Sequence, residues 1–248
     1  MATNNTVMFK IKRFDPDKDT KPYFKDYTLN NVMSGETVLG ALLRIVEEVD
    51  GSLCFRYVCR AGICGSDALF INGKRLLACQ TQLKLLKQPI TVEPLPGLPI
   101  IKDLVMDMEP FFEKYFAIDP FLIEPDDHIK ADEERIQSKK QFGKIDVYTH
   151  CILCGACYSA CPIVWTSAEY LGPAALGKAY RFLEDNRDGG KKERLKILDS
   201  EDSAFRCHTS FECVESCPKN IPLTAGIQSL KRSLAKRRIK KLLFLEKD

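Results

Sequence analysis

Cys59, Cys64, Asp67 and Cys79 follow the pattern C-x4-C-x2-D-x11-C. Plant-type [2Fe–2S] loops open C-x4-C-x2-C and take a distant fourth cysteine. Three thiolates and one carboxylate are therefore expected to hold a [2Fe–2S] cluster, with Asp67 at the third position. Iron accepts an oxygen ligand, although a carboxylate is harder and less electron-donating than a thiolate. Gly62 and Gly65 are expected to let the backbone come close to the sulfides, since glycine carries no Cβ. Incidental surface thiols and a zinc site are the alternatives, and the x4-then-x2 spacing is unlike the usual zinc knuckles.

A second run reads Cys151-x2-Cys154-x2-Cys157-x3-Cys161-Pro162. In bacterial dicluster loops of this spacing, three cysteines bind one cluster and the fourth binds the other. That rule requires a partner run. Cys207-x5-Cys213-x3-Cys217-Pro218 supplies it if Ser210 stands at the second cysteine position. Crossing the fourth ligands gives Cys151, Cys154, Cys157 and Cys217 to a [4Fe–4S] cluster. Cys161, Cys207 and Cys213 remain for a second cluster, expected as [3Fe–4S] because a corner without a ligand readily loses its iron. A fourth iron on the Ser210 oxygen is the alternative. Ten of the eleven cysteines are then used. Cys54, between Leu53 and Phe55, reads as a buried structural thiol.

The elements that must carry these residues are partly legible. Val7, Phe9 and Ile11 alternate with Met8, Lys10 and Lys12, a period-two strand pattern, and Tyr23 to Leu29 is a second strand candidate. Leu39, Leu42, Leu43 and Val46 share one helix face, closed by Asp50-Gly51. Asn72-Gly73 between Leu69-Phe70-Ile71 and Leu76-Leu77 signals a tight hairpin. Ile90 to Glu93 is a last strand before the proline-rich stretch from Pro94 to Pro99. Helical repeats follow around Ala174 to Leu183, and from Leu223 to Leu234 with the end toward the tail left open.

Composition narrows the function classes. With 45% hydrophobic and 29% charged residues the chain is globular. A net charge of +3 does not favour nucleic-acid binding. No apolar run reaches the roughly 18–20 residues of a membrane span, and Met1 to Lys12 shows no signal-peptide pattern. A cytoplasmic location, where thiols stay reduced, is the expectation. Charge divides the chain into residues 1–105 (+3), an acidic connector at 106–140 (−5) and residues 141–248 (+5). These boundaries give a [2Fe–2S] domain, a connector with short helical pieces, and a helical dicluster domain ending in a basic tail. That tail has seven basic residues between Lys231 and Lys241, followed by Leu242-Leu243-Phe244-Leu245. It reads either as a solvated helix end or as a contact with anionic headgroups or an anchor protein.

Nearly the whole chain resembles the iron–sulfur subunits of succinate dehydrogenases and fumarate reductases. The resemblance is carried by Cys59-Arg60-Ala61-Gly62-Ile63-Cys64-Gly65-Ser66, the Pro94 to Leu104 segment, Leu171-Gly172-Pro173-Ala174, Ala179-Tyr180-Arg181-Phe182 and Cys207-His208-Thr209. Aspartate at the third position of the first motif occurs in some members. The resemblance implies an α+β chain: an N-terminal plant-type ferredoxin-like β-grasp domain and a mostly α-helical, bacterial dicluster ferredoxin-like domain. It implies a partner flavoprotein carrying FAD, and a membrane anchor with or without haem b. Electrons would pass from [2Fe–2S] to [4Fe–4S] to [3Fe–4S] and then to quinone. The chain itself would hold no dicarboxylate site and would lie peripherally on the cytoplasmic face of the membrane.

Quinone contact is expected near the last cluster, at Pro162, Trp165 and His208. Many relatives have two tryptophans in tandem where this chain has Trp165-Thr166. A core aromatic role for Trp165 and a surface or haem-propionate role for His208 are the alternatives. His128 and His150 read as ordinary polar residues. A fumarate reductase subunit working in the reverse direction, and a free multi-cluster electron carrier, are the competing functions.

Overall fold

The computed structural model describes residues 6–125 and 133–243. It divides into two compact units that do not follow chain order. Unit 1 comprises residues up to Pro110 together with Ile152–Ala160; unit 2 comprises Phe111–Cys151 and Cys161 onward.

Unit 1 is built on a five-stranded sheet of order β2-β1-β5-β3-β4. Its strands are β1 (Val7–Arg13), β2 (Tyr23–Leu29), β3 (Ala68–Ile71), β4 (Lys74–Leu77) and β5 (Ile90–Glu93). β1 and β5 run parallel, and the other pairs are antiparallel. On β1 the inward face is Val7, Phe9, Ile11 and Arg13. Helix α1 (Val38–Glu48) is started by Thr37, whose hydroxyl accepts the Gly40 N–H at 3.1 Å. It buries Val38, Leu39, Leu42 and Ile45; full burial of each stabilises by about 1.5–3 kcal/mol. Asn72 (φ 45°) and Gly73 (φ 78°) make the two-residue turn between β3 and β4, the geometry that matches the twist of paired strands.

Arg13 ends the inward face with a charge. Its guanidinium donates to Asp103 at 2.9 Å, to Asp50 at 2.7 Å, to Ser52 at 2.9 Å and to the Tyr27 hydroxyl. Asp103 sits in the turn between the short strands β6 (Ile100–Lys102) and β7 (Val105–Met106). It also accepts the Phe14 and Cys54 N–H groups at 3.0 and 2.9 Å. Cys54 is half-buried rather than buried.

Unit 1 is completed by a later segment that includes α4 (Ala156–Ala160). Ser159 donates its hydroxyl to the Pro96 carbonyl at 2.7 Å, and its own carbonyl accepts Arg75 at 3.2 Å.

Unit 2 is helical. Its helices are α2 (Glu109–Phe116, entering from unit 1), α3 (Lys139–Thr149), α5 (Pro162–Thr166), α6 (Gly172–Glu184), α7 (Lys191–Leu198), α8 (Glu212–Glu215) and α9 (Leu223–Leu242). α3 begins with a reciprocal cap: the Ser138 hydroxyl accepts the Gln141 N–H, and the Gln141 side chain accepts the Ser138 N–H. α6 packs against α3 and α9. A Cβ on Gly177 would come within 2.5 Å of a terminal methyl of Leu223, so a larger residue there would displace that side chain. The core gathers Ile118, Ile163, Tyr170, Leu176, Ala179, Leu198, Ile227, Leu230 and Leu234 together with Cys161. Arg194 is fully buried and pairs with Asp188. It also donates to the Asp119 and Phe121 carbonyls at 2.9 and 2.5 Å, tying the connector to the helices. Among the described residues no helix is long and apolar enough to cross a membrane.

Candidate metal centres

The first centre lies in unit 1, on the irregular chain after α1. The Cys59 sulfur accepts three backbone N–H groups, from Ala61 and Ile63 at 3.4 Å and from Cys64 at 3.2 Å. Left-handed torsions at Arg60 (φ 57°) and Gly62 (φ 68°) wrap the loop back onto that sulfur. The Gly62 N–H turns instead toward Cys79. Such donors stabilise negative charge on sulfur, as thiolate ligands require. The Cys64 thiol is pulled down to about 6, first by the Ser66 hydroxyl at 3.1 Å and then by N–H groups of the loop.

The β3–β4 hairpin supplies the remaining two residues. Its register pairs Ala68 with Leu77, so Asp67 and Cys79 flank the open end of the same hairpin. Asp67 is 3% exposed. One carboxylate oxygen accepts the Cys79 N–H at 2.5 Å, and the other is buried with no hydrogen-bond partner. Burial, and then the Asp67 carboxylate, push the Cys79 thiol up. A buried acceptor left unpaired costs about 1–3 kcal/mol, and an iron ion would satisfy it. The donor set thus fits a [2Fe–2S] cluster with one oxygen ligand.

The two later runs repeat one backbone path. In the first, Leu153 (φ 54°) and Gly155 (φ 78°) are left-handed; in the second, Thr209 (φ 62°) and Phe211 (φ 64°) are. Each follows its leading cysteine by two and four residues, and each run then enters a short helix, α4 or α8. Ser210 therefore holds the place of Cys154 in the loop as well as in the spacing. Its residue is exposed, whereas Cys161 and Cys213 are buried.

Cys161, Cys207 and Cys213 come together in unit 2 around Tyr170. Burial raises the Cys161 thiol, and it raises the Cys213 thiol to about 11. Their other contacts are with donors that a thiolate could use. Cys161 faces the N–H groups of Val164 and Ile163. Cys207 accepts the Thr209 N–H at 3.4 Å, and Cys213 lies 3.6 Å from the Thr224 hydroxyl. This trio fits a cluster with three protein ligands.

Of the remaining set, Cys154 and Cys157 belong to unit 1, and Cys151 and Cys217 to unit 2. The Cys217 sulfur accepts the Ile221 N–H at 3.5 Å. Lys178, which the sequence did not single out, lies near enough to Cys151 to bear on it electrostatically. Among the described residues no three Cys, His, Asp or Glu side chains gather about one point as ligands of a single ion would. Cluster ligands differ in attaching to separate irons.

Gly65 has a role that the spacing did not reveal. It is left-handed (φ 71°), and a Cβ there would meet Cys154 Cβ at 2.8 Å and the Ile152 carbonyl at 3.0 Å. The first and second cysteine loops thus touch backbone to backbone within unit 1. Pro162, Trp165 and His208 are exposed residues of unit 2, Trp165 to 55%, which excludes a core role for it. Phe211, also exposed, is a further aromatic beside the last run. His150 faces Asp146 at 3.5 Å, and His128 lies outside the described residues.

A family model for a 2Fe-2S iron-sulfur cluster binding domain matches residues 8–113, and one for a 4Fe-4S dicluster domain matches residues 147–221. The succinate dehydrogenase iron-sulfur subunit of Coxiella burnetii is 41% identical over 92% of this chain and 97% of its own length. Iron-sulfur subunit 1 of mitochondrial succinate dehydrogenase [ubiquinone] from Oryza sativa is 42% identical over 93% of this chain and 83% of its own. A chain of the Mycobacterium smegmatis Sdh1 complex in the apo form superposes with a TM-score of 0.86 at 27% identity, covering 96% of this chain and 98% of that one. Fold, cluster domains and sequence agree, and the chain belongs to the family of succinate dehydrogenase iron–sulfur subunits.

Proposed function

We propose an order and an address for the electron transfer that this family performs in succinate dehydrogenase. Cys59, Cys64, Asp67 and Cys79 would hold a [2Fe–2S] cluster facing the FAD of a flavoprotein partner. Cys151, Cys154, Cys157 and Cys217 would hold a [4Fe–4S] cluster next in line, and Cys161, Cys207 and Cys213 a [3Fe–4S] cluster last. Pro162, Trp165 and His208 would border the quinone at a membrane anchor. When bound, each cluster takes up and releases a single electron, which divides the two-electron oxidation of succinate into single transfers.

The observation that carries this order is the contact of Gly65 with Cys154 and Ile152, which leaves no room for a Cβ. It puts the loop of the first ligand set directly against a loop of the second. The chain's own residues do the rest. The backbone N–H groups of Cys64, Thr209 and Ile221 donate to the Cys59, Cys207 and Cys217 sulfurs and would stabilise thiolate charge there. Ser210, standing where a fourth cysteine would, supports a three-thiolate last site.

A peripheral position on the cytoplasmic face of the membrane is the matching address. It is supported by α9, whose solvent-facing residues include Arg232, Lys236 and Lys240 with Ile239 and Leu242, and which contains no acidic residue. The test is electron paramagnetic resonance (EPR) of the purified complex with flavin analysis. The reading expects an oxidised-state [3Fe–4S] signal, a [2Fe–2S] signal on reduction, and flavin in the partner. Two [4Fe–4S] signals without the [3Fe–4S] signal would overturn the last assignment.

A further inference from the structure

Tyr170 is 1% exposed, and its hydroxyl has no hydrogen-bond partner. It lies between α5 and α6, where its backbone N–H is bound to the Ser167 carbonyl at 3.2 Å. The ring packs in the core of unit 2 with Cys161, Leu176, Ala204 and Leu230. Phenylalanine would fill that space equally well. A buried hydroxyl without an acceptor costs about 1–3 kcal/mol, so the oxygen calls for an explanation that packing does not give.

The groups around the hydroxyl supply one. Cys161 lies in the same core cluster as Tyr170, Cys207 packs against that cluster, and all three of Cys207, Cys161 and Cys213 bear on the hydroxyl electrostatically. These are the three cysteines assigned above to one cluster. A thiol that carries its own proton is a poor acceptor. A thiolate bound to iron is a good one, and in a dry interior such a bond is strengthened.

We propose that Tyr170 donates its hydroxyl to the Cys207 thiolate of the last cluster and thereby raises that cluster's reduction potential. This rests on the assignment of Cys161, Cys207 and Cys213 to a single cluster. The sign follows from charge. Reduction adds an electron whose density spreads onto the sulfurs, so a donor stabilises the reduced state more than the oxidised one. Hydrogen bonds to the sulfurs are a recognised determinant of cluster potential. The other donor to Cys207, the Thr209 N–H, is backbone and survives substitution. Tyr170 is therefore a positioning and tuning residue whose effect can be removed alone.

The test is a redox titration of the complex carrying Tyr170→Phe, followed by EPR. The midpoint of the last cluster should fall while its signal amplitude is kept. A purely structural role would change stability and leave the midpoint in place, so an unchanged midpoint overturns the proposal. If the phenylalanine variant loses the cluster, labelling the complex with 3-fluorotyrosine gives the second reading. Its more acidic hydroxyl donates more strongly, and the midpoint should rise; a midpoint that stays put overturns the proposal by that route. A wild-type complex with no signal from a third cluster would instead remove the assignment beneath it, which is a distinguishable failure.

Discussion

Asp67 offers one oxygen to the Cys79 amide and keeps the other buried and unpaired. A carboxylate in that position is poor as a structural group and good as an iron ligand. Asp67→Ala should change or abolish the [2Fe–2S] signal in EPR; an identical spectrum would remove Asp67 from the ligand set. Ser210 is the second departure from a pattern of twelve cysteines, and the repeated left-handed torsions give it the place of Cys154. Ser210→Cys should therefore supply a fourth thiolate, with the oxidised-state [3Fe–4S] signal giving way to that of a reduced [4Fe–4S] cluster. Persistence of the original signal would mean that the two loops differ in where they aim this side chain. The candidate ligands could be proposed from the sequence because cluster-binding motifs carry a spacing along the chain. The unpaired atoms of Asp67 and Tyr170 could not, because a missing partner is a property of the folded surroundings.

Helices and strands with a clear hydrophobic period were equally legible. The alternating Val7, Phe9 and Ile11 lie in a strand, Tyr23–Leu29 and Ile90–Glu93 form the two further strands expected, and the Asn72-Gly73 hairpin closes as its turn chemistry dictates. The helix at Leu223 does run on, to Leu242. The β6–β7 pair escaped because strands of three and two residues are too short to show a period and one follows a proline-rich stretch. α7 escaped because KKERLKIL hides its few apolar positions among charges. The buried charge at Arg13 was invisible for another reason: its partner Asp103 is 90 residues away. Removing one member of a buried ion cluster leaves uncompensated charge at a cost of about 3–5 kcal/mol. Arg13→Met should strand Asp103 and Asp50 in this way and lower the thermal unfolding midpoint of the cluster-loaded chain. A midpoint equal to wild type would show that water or Lys25, which also binds Asp50 at 2.8 Å, takes over the role.

Over the whole molecule, the net charge of +3 conceals an acidic connector and a helix with seven basic residues between Lys231 and Lys241. Lys231 and Arg238 on that helix are engaged, with the Cys207 carbonyl at 2.6 Å and Asp199 at 2.6 Å respectively. Lys236 and Lys240 are exposed. Near an anionic leaflet each basic residue contributes about 1 kcal/mol. Lys236→Glu combined with Lys240→Glu should reduce co-sedimentation of the chain with anionic vesicles by about tenfold or more, with little change for neutral ones. Equal binding by variant and wild type would assign the tail to solvent alone.

The return of Ile152–Ala160 to unit 1 gives synthesis a timetable. When Pro110 leaves the ribosome, the sheet and the first cysteine loop are complete as sequence, but the segment that meets Gly65 has not been made. At about 5–20 residues per second, that face of the loop stays open for a few seconds while the first part of unit 2 is translated. A nascent chain halted before Ile152 is therefore a more accessible acceptor for iron and sulfide than the finished protein, and a more vulnerable target for oxidants.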